Sequence, residues 1–101
     1  MIRVYHALKP SFGFGPRLSF PEEFKHVADV AIPDEEYPQA FELTNSIHCP
    51  WWENSLVSPI LENFQEHDGV RGERSTSVGD VIVLSDGRAM RCAMVGWESI
   101  S

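Results

Sequence analysis

Residues 74–100 constrain the fold more than any other part of this chain, because they have the pattern of a polar loop, a turn and two strands. Val78-Gly79-Asp80 suits a turn, since glycine adopts backbone conformations that other residues avoid. Val81 to Leu84 is a short apolar run, typical of a buried strand. Asp86-Gly87 then carries the strongest short signal for a two-residue hairpin turn. The pattern predicts a C-terminal β-hairpin.

The return strand of this hairpin is predicted to place Met90, Cys92 and Met94 on one face, because alternate residues of a strand share a face. Gly96 is expected to mark a bulge, since glycine inside a strand often does so. Trp97 is expected to restart the strand.

The rest of the chain predicts two more strands and two helices. Alternating residues predict a strand of about seven residues from Ile2, and the apolar, partly β-branched segment 26–32 predicts a second. Apolar residues at helical spacing predict an amphipathic helix from about residue 35 to 47. Ser58-Pro59 has the form of a helix start, so a second helix is expected through Phe64, followed by a polar loop over 69–77. We therefore expect one α+β domain spanning residues 1–101, with a small, mostly antiparallel sheet and its C-terminal β-hairpin packed against two short helices.

Charge is distributed unevenly along the chain, whose net charge is −7. No lysine or arginine occurs between Lys25 and Arg71, whereas nine acidic residues do. An acidic middle repels phosphate, so direct nucleic-acid binding is not expected. The acidic excess is either a device for solubility or a surface for a basic protein patch.

The sequence lacks a membrane span, a signal peptide and paired metal ligands, and these absences predict its compartment and cofactors. No apolar run reaches the length of about 18 residues that spans a bilayer, and the N-terminus lacks the apolar core of a signal peptide. We expect a cytoplasmic protein with no membrane partner, in which Cys49 and Cys92 are free thiols. Because no pair of ligands has zinc-site spacing, no metal site and no cofactor are expected.

A cluster of aromatic and polar residues around a tandem tryptophan is the first candidate binding site. One tryptophan can fill the core beneath the helix, or the pair can form a surface anchor with a polar rim, as in binding hot spots. The two alternatives can coexist, with one ring inside and one outside. The candidate protein-binding residues are Asn45, His48, Trp51, Trp52, Glu53 and Asn54.

Arg74, Ser75 and Ser77 form a second candidate patch, ahead of the predicted turn. One arginine among hydroxyl groups can grip a carboxylate or phosphate. Alternatively, Arg74 pairs with an acidic side chain of the chain itself and a serine caps the turn.

Two segments resemble a known group of proteins. Arg74-Ser-x-Ser-Val-Gly-Asp-Val-Ile-Val-Leu, with Val95-Gly-Trp-Glu-Ser-Ile, is similar to the C-terminal motif of YodL-like domains, which are common on plasmids, phages and other mobile elements. Phe41-Glu-Leu-Thr-Asn-Ser-Ile, with Pro50-Trp-Trp-Glu-Asn, is similar to a pattern in small bacterial and phage proteins that share this ending. The resemblance implies a bacterial or mobile-element origin and no particular reaction or cofactor.

These observations favour a non-catalytic protein-interaction module with an unknown protein partner. The alternative is an acidic inhibitor that mimics phosphate and blocks a host nucleic-acid enzyme or defence system. That alternative requires one continuous acidic face made by Asp34, Glu35, Glu36, Glu62 and Glu66. A third alternative is a small enzyme, which would need a concave pocket with a perturbed acid or base; an enzyme is not the expected function.

Overall fold

The computed structural model describes residues 1–10, 17–46 and 49–100. Eight strands, one α-helix and three short 3-10 turns make up this part of the chain. The strands are β1 Ile2–Ala7, β2 Phe24–Val30, β3 Val57–Pro59, β4 Gln65–His67, β5 Val70–Gly72, β6 Val81–Val83, β7 Ala89–Cys92 and β8 Trp97–Ser99. The helix is α1 Pro38–Leu43, and the 3-10 turns are Asp34–Glu36, Trp51–Glu53 and Leu61–Asn63. The predicted α+β class is confirmed.

Six strands form one antiparallel sheet in the order β3-β2-β1-β6-β7-β8, and β4 and β5 form a separate two-stranded sheet. The first strand of the chain therefore lies in the middle, where Val4 is opposite Ala28 on one side and Ile82 on the other. Because β1 and β6 are distant in sequence, the sheet closes only when both ends of the chain meet.

Apolar side chains cover both faces of the sheet, since successive residues of a strand point to opposite faces. Ile2, Val4 and Ile82 belong to the larger cluster, which α1 and the 3-10 turn Trp51–Glu53 cover. Val81 and Val83 belong to a smaller cluster on the other face. Partly buried members of the smaller cluster are Tyr5, Leu18, Phe20 and Ile100. Within the described ranges, no helix is long and apolar enough to cross a membrane.

The first helix is shorter than predicted. A 3-10 turn over Asp34–Glu36 precedes α1, and Pro38 occupies the first turn of the helix as expected. The helix ends at Leu43 because the next residues bond to a distant loop: Thr44 O accepts from Thr76 N at 2.9 Å, and Asn45 Nδ2 donates to Thr76 O at 2.8 Å. Tertiary hydrogen bonds therefore replace the last predicted helical turn, and Ile47 lies outside the described residues.

The second predicted helix does not form. Val57–Pro59 is instead an edge strand, in which Pro59 is opposite Ala28 of β2. Proline lacks an N–H donor and is accepted at a sheet edge, so Ser58-Pro59 fits an edge strand as well as a helix start. Only a 3-10 turn, Leu61–Asn63, remains of the predicted helix.

The two Asp-Gly pairs of the chain both make hairpins. At 86–87, Leu84 N donates to Arg88 O and Gly87 has φ +94°, so the β6–β7 loop has three residues rather than the predicted two. The predicted polar loop after residue 69 contains a hairpin instead: Asp68 and Gly69, at φ +53° and +80°, join β4 to β5. This second pair is the two-residue turn with both residues left-handed.

Beyond β7, the predicted single return strand is two strands. β7 ends at Cys92, and the chain reverses so that Trp97 of β8 lies opposite Cys92. Gly96, at φ +75°, makes this reversal possible, and Ala93 N donates to Gly96 O at 3.0 Å. Met94 therefore lies in an exposed turn rather than on the face of Met90 and Cys92.

We expect Gly87→Ala to lower the free energy of unfolding by about 1–2 kcal/mol, since a Cβ at positive φ is strained although the space around it is open. Gly72→Ala is the matched control, because its added Cβ would meet only the Trp52 ring, at 3.8 Å, and its φ is not in the left-handed range. Urea denaturation of both variants checks this. Equal losses would show that the β6–β7 loop does not depend on the glycine conformation.

Candidate functional site

The two candidate patches predicted from the sequence lie together in the structure. Asn45 Nδ2 donates to Thr76 O at 2.8 Å, and Ser75 Oγ donates to Ser46 O at 3.3 Å. Trp51 Nε1 donates to Arg74 O at 3.0 Å. The segment after α1 and the loop before β6 are thus one assembly. His48 lies outside the described residues.

Trp51 belongs to the core of this assembly. Its side chain is buried, with 3% of the residue exposed, and its indole N–H is bonded to the 73–74 backbone. Its ring lies 5.5 Å from Phe64 and 6.0 Å from His6, measured between centroids. Trp51 is therefore the tryptophan that fills the core, and a buried indole with its N–H bonded is well suited to that role.

Trp52 is half-buried at the edge of the core. Its ring lies 5.5 Å from Trp51 and 5.4 Å from Phe64. Glu53 and Asn54 follow on the surface, where Asn54 Oδ1 accepts from Leu56 N at 2.8 Å. Of the predicted binding residues, Trp52, Glu53 and Asn54 thus keep surface that a partner can reach. Their role as contact residues stays a prediction.

Arg74 is engaged inside the protein. Its two terminal nitrogens bond the two carboxylate oxygens of Asp80 at 2.6 and 2.7 Å. The same carboxylate accepts the backbone N–H of Ala7 at 2.9 Å and of Ser77 at 2.8 Å, and Asp80 is only 1% exposed. A bidentate, charge-assisted pair of this kind braces the loop. The guanidinium therefore serves the fold, the second of the two alternatives for Arg74.

Beneath these loops lies a buried polar cluster that the sequence did not predict. His6, in central strand β1, is fully buried with Nδ1 3.0 Å from Glu73 Oε2 and Nε2 2.8 Å from Thr76 Oγ1. Thr76 Oγ1 is 2.7 Å from Thr44 Oγ1, and Lys25 Nζ donates to the other oxygen of Glu73 at 2.6 Å. The cluster joins β1, β2, α1 and the loop 73–80.

One signal in the sequence marks this cluster. His6 follows Ile2 and Val4 at alternate positions of β1, so it shares the buried face of the strand. A buried imidazole requires hydrogen-bond partners. Its partners lie about seventy positions away, at Glu73 and Thr76. No local spacing reveals partners at that distance.

Carboxylate, imidazole and hydroxyl follow one another in the order used by hydrolases to activate a nucleophile. Thr76, however, is 1% exposed, and its hydroxyl also contacts Thr44. A nucleophile must reach its substrate, so this hydroxyl is placed for structure rather than attack. An open depression of about 310 Å³ lies elsewhere; it is lined by Met1, Arg3, Asp29, Leu84 and Ser85.

Two titratable groups of the assembly have shifted pKa values. Burial raises the pKa of Glu73, but the hydrogen bonds and charges of His6 and Lys25 outweigh burial, so the net pKa lies below its ordinary value. Burial, reinforced by the negative charge of Asp80, raises the pKa of the Cys92 thiol to about 11. Glu73 is thus held ionised and Cys92 neutral at physiological pH.

Over residues 1–10, 17–46 and 49–100, no group of three or more His, Cys, Asp or Glu side chains is placed to hold a metal ion. Comparison with protein-family models, with curated proteins and with solved structures finds no match to this chain. The resemblance to YodL-like domains remains an expectation from the residues alone.

Acid should destabilise the protein partly through Glu73. Because the folded-state pKa is lowered, its contribution is present above the ordinary carboxyl pKa and is lost as pH falls through the folded-state pKa. We expect Glu73→Gln to lower the free energy of unfolding at pH 7 by on the order of 3 kcal/mol, the usual cost of breaking a buried ion pair. The free energy of unfolding of this variant should also depend less on pH in the acid range. Urea denaturation between pH 7 and pH 3 measures both effects.

Asp34→Asn is the control for Glu73→Gln. The backbone N–H of Ser85 lowers the pKa of Asp34 too, but Asp34 lies at the surface. If Asp34→Asn and Glu73→Gln lower stability at pH 7 equally, the buried pair has no special role.

The two thiols should react very differently at pH 8. Cys49 is exposed, whereas Cys92 is buried with a pKa of about 11, and the thiolate is the reactive form. We expect iodoacetamide to modify one thiol per native molecule and none in Cys49→Ser, as read by intact mass spectrometry. Rapid modification of native Cys49→Ser would contradict the placement of Cys92.

Proposed function

We propose that this chain is a non-catalytic protein-interaction module that binds a basic partner protein through its hairpin surface. The hairpin surface consists of Trp52, Glu53, Asn54 and the hairpin Gln65–Gly72. In line with the sequence, we place the protein in the cytoplasm of a bacterium or of the host of a mobile element.

The exposure of the β4–β5 hairpin is the observation that carries this proposal. Gln65, Glu66, His67, Val70 and Arg71 are all exposed, and Val70 reaches 70%. Among the described residues each strand pairs only with the other. A two-stranded hairpin without a buried face is marginally stable in water. Its ordered strands with open edges offer backbone donors and acceptors to an added strand.

The base of the hairpin is anchored to the core. The position of a Cβ on Gly72 lies 3.8 Å from the Trp52 ring, and Arg71 Nη1 donates to Leu61 O at 2.7 Å. Trp52 in turn packs on Trp51 and Phe64. The hairpin surface therefore combines an aromatic side chain on a rigid base with a projecting ribbon. Aromatic anchors of this kind dominate binding energy at interfaces.

Charge suggests the chemistry of the partner. Glu53, Glu66 and Asp68 belong to the hairpin surface, Glu62 lies beside it in a 3-10 turn, and Arg71 is its only lysine or arginine. An excess of carboxylates attracts a basic surface and speeds association at low salt. We therefore expect a partner segment that is extended and rich in lysine or arginine.

The placement of the acidic residues does not favour phosphate mimicry. Asp34 Oδ1 accepts from Ser85 N beyond the end of β6, whereas the turn that holds Glu62 is bonded to β2 through Asn63 Nδ2 and His26 O. Glu66 lies in the second sheet. The carboxylates are thus distributed over elements attached to different strands, and no observation of the structure supports a single phosphate-like row.

Two pairs of surface variants test the proposal. Val70→Ser on the hairpin is matched by Val95→Ser, which makes the same change at a 93% exposed valine in the β7–β8 turn. Glu66→Lys is matched by Glu35→Lys in the first 3-10 turn. A partner captured by the wild-type chain is identified by mass spectrometry, purified and titrated against all four variants.

We expect Val70→Ser and Glu66→Lys each to weaken affinity about tenfold, the scale of a contact residue, and the two matched variants to bind as wild type. All four should keep the free energy of unfolding within about 0.5 kcal/mol of wild type, because they change exposed side chains. If Val95→Ser or Glu35→Lys weakened binding while Val70→Ser and Glu66→Lys did not, the partner would bind elsewhere than at the hairpin surface.

A further inference from the structure

A row of contacts enters the protein at Lys25 and reaches the buried ring of His6. Lys25 Nζ donates to Glu73 Oε1 at 2.6 Å, and Glu73 Oε2 lies 3.0 Å from His6 Nδ1. The lowered pKa of Glu73 means that this carboxylate is ionised and accepts on both oxygens. His6 Nδ1 therefore carries a proton and donates it to Glu73.

The row continues on the other side of the ring. His6 Nε2 lies 2.8 Å from Thr76 Oγ1, and Thr76 Oγ1 lies 2.7 Å from Thr44 Oγ1. Thr44 Oγ1 lies 2.7 Å from the carbonyl oxygen of Ala40 in α1. Each of these three contacts has hydrogen-bond length and requires one proton.

Counting protons decides the state of the ring. A carbonyl oxygen only accepts, so the single hydroxyl proton of Thr44 goes to Ala40. The contact between the two threonines then takes the single hydroxyl proton of Thr76. No hydroxyl proton remains for the contact between Thr76 and His6 Nε2. The ring nitrogen must supply it.

We infer that His6 is a buried imidazolium whose two N–H groups clamp the loop 73–80 between central strand β1 and helix α1. The second ring proton makes a hydrogen bond that stabilises the folded state. Removing that proton leaves two oxygens or an oxygen and a nitrogen in contact with no hydrogen between them, so the clamp is sensitive to alkaline pH. This protonation state follows from the buried contacts alone and holds whether or not the hairpin surface binds a partner.

The charged surroundings of the ring are consistent with a cation. From the loop, Glu73 and Asp80 face it, with Asp80 Oδ2 4.0 Å from Nε2. Each carboxylate also binds a second cation, Lys25 of β2 for Glu73 and Arg74 for Asp80. The Thr76 hydroxyl and the Trp51 ring, which also contact the His6 ring, are uncharged.

The loop that His6 holds is connected to the protein surface through Trp51 and Trp52. Trp51 Nε1 bonds the backbone of Glu73 and Arg74, the first residues of the clamped loop. The Trp51 ring supports Trp52, 5.5 Å away. Loss of the His6 proton should therefore loosen the bonds of the loop and of the Trp51 indole together.

Nitrogen NMR of histidine-labelled protein tests the inference directly. At pH 8, about 1.5 units above the ordinary pKa of histidine, we expect His6 to show two protonated ring nitrogens. His67, whose side chain is 96% exposed, supplies the reference spectrum. Hydrogen exchange of the Thr76 amide and the Trp51 indole should accelerate together at the pH where His6 loses its proton.

Two substitutions at one position separate the hydrogen-bond chain from packing. Thr44→Ser keeps the hydroxyl and should keep His6 doubly protonated at pH 8. Thr44→Val keeps the shape but frees the Thr76 proton for Nε2, so His6 should then deprotonate at least about one pH unit lower, as expected for loss of one buried hydrogen bond.

The wild-type spectrum decides the inference even if Thr44→Val does not fold. A single protonated ring nitrogen in wild-type His6 at pH 8 would overturn it. So would equal deprotonation midpoints of His6 in Thr44→Ser and Thr44→Val.

Discussion

The fold depends on the contact between His6 and the loop 73–80. An imidazole in the central strand of a sheet, 0% exposed, is costly to bury unless both of its nitrogens are bonded. Glu73 and Thr76, which lie 67 and 70 positions further along the chain, provide those bonds. The contact thereby fixes where the loop crosses the sheet, and so where β6 begins beside β1. Throughout the described residues, no buried side-chain nitrogen or oxygen lacks a partner.

A network that is complete selects one arrangement of its members, because every alternative leaves a buried group unpaired. Asp80 illustrates this. Its two oxygens receive two guanidinium N–H groups and two backbone N–H groups, so shifting the loop by one residue would break four bonds. The loop so fixed is the segment from Arg74 to Asp80, which begins the longer motif compared above with YodL-like domains. Its polar residues are explained by folding, whatever the origin of the chain.

Local patterns predicted strands at β1, β2, β6 and β7, missed the short strands β3, β4 and β5, and did not predict the long-range contacts. Period-two alternation predicts β1 and a continuous apolar run predicts the fully buried β6, and both signals depend only on neighbouring residues. Ser58-Pro59 was misassigned to a helix because its local signal is compatible with two structures, and the open edge of β2 decided between them. Asp-Gly predicted a hairpin at 86–87, yet the same dipeptide at 68–69 makes the two-residue turn. The flanks of 68–69 carry no alternating apolar residues, so that hairpin has no pattern from which to predict it.

Residue type located both candidate patches in the sequence but left open which side chains are buried. Both clusters are centres of contact within the protein: the indole of Trp51 bonds the backbone of the loop that holds Arg74, and the guanidinium of Arg74 bonds Asp80 of its own loop. Tryptophan and arginine are residue types that make strong contacts, but the residue type alone does not tell whether the contact is with another protein or with the same chain. Here Trp51 and Arg74 bond other parts of the chain, whereas Trp52 is half-buried and the β4–β5 hairpin is exposed. The proposed binding surface therefore combines a half-buried aromatic side chain that packs on the core with an exposed hairpin, and a hairpin of two strands alone is marginally stable in water.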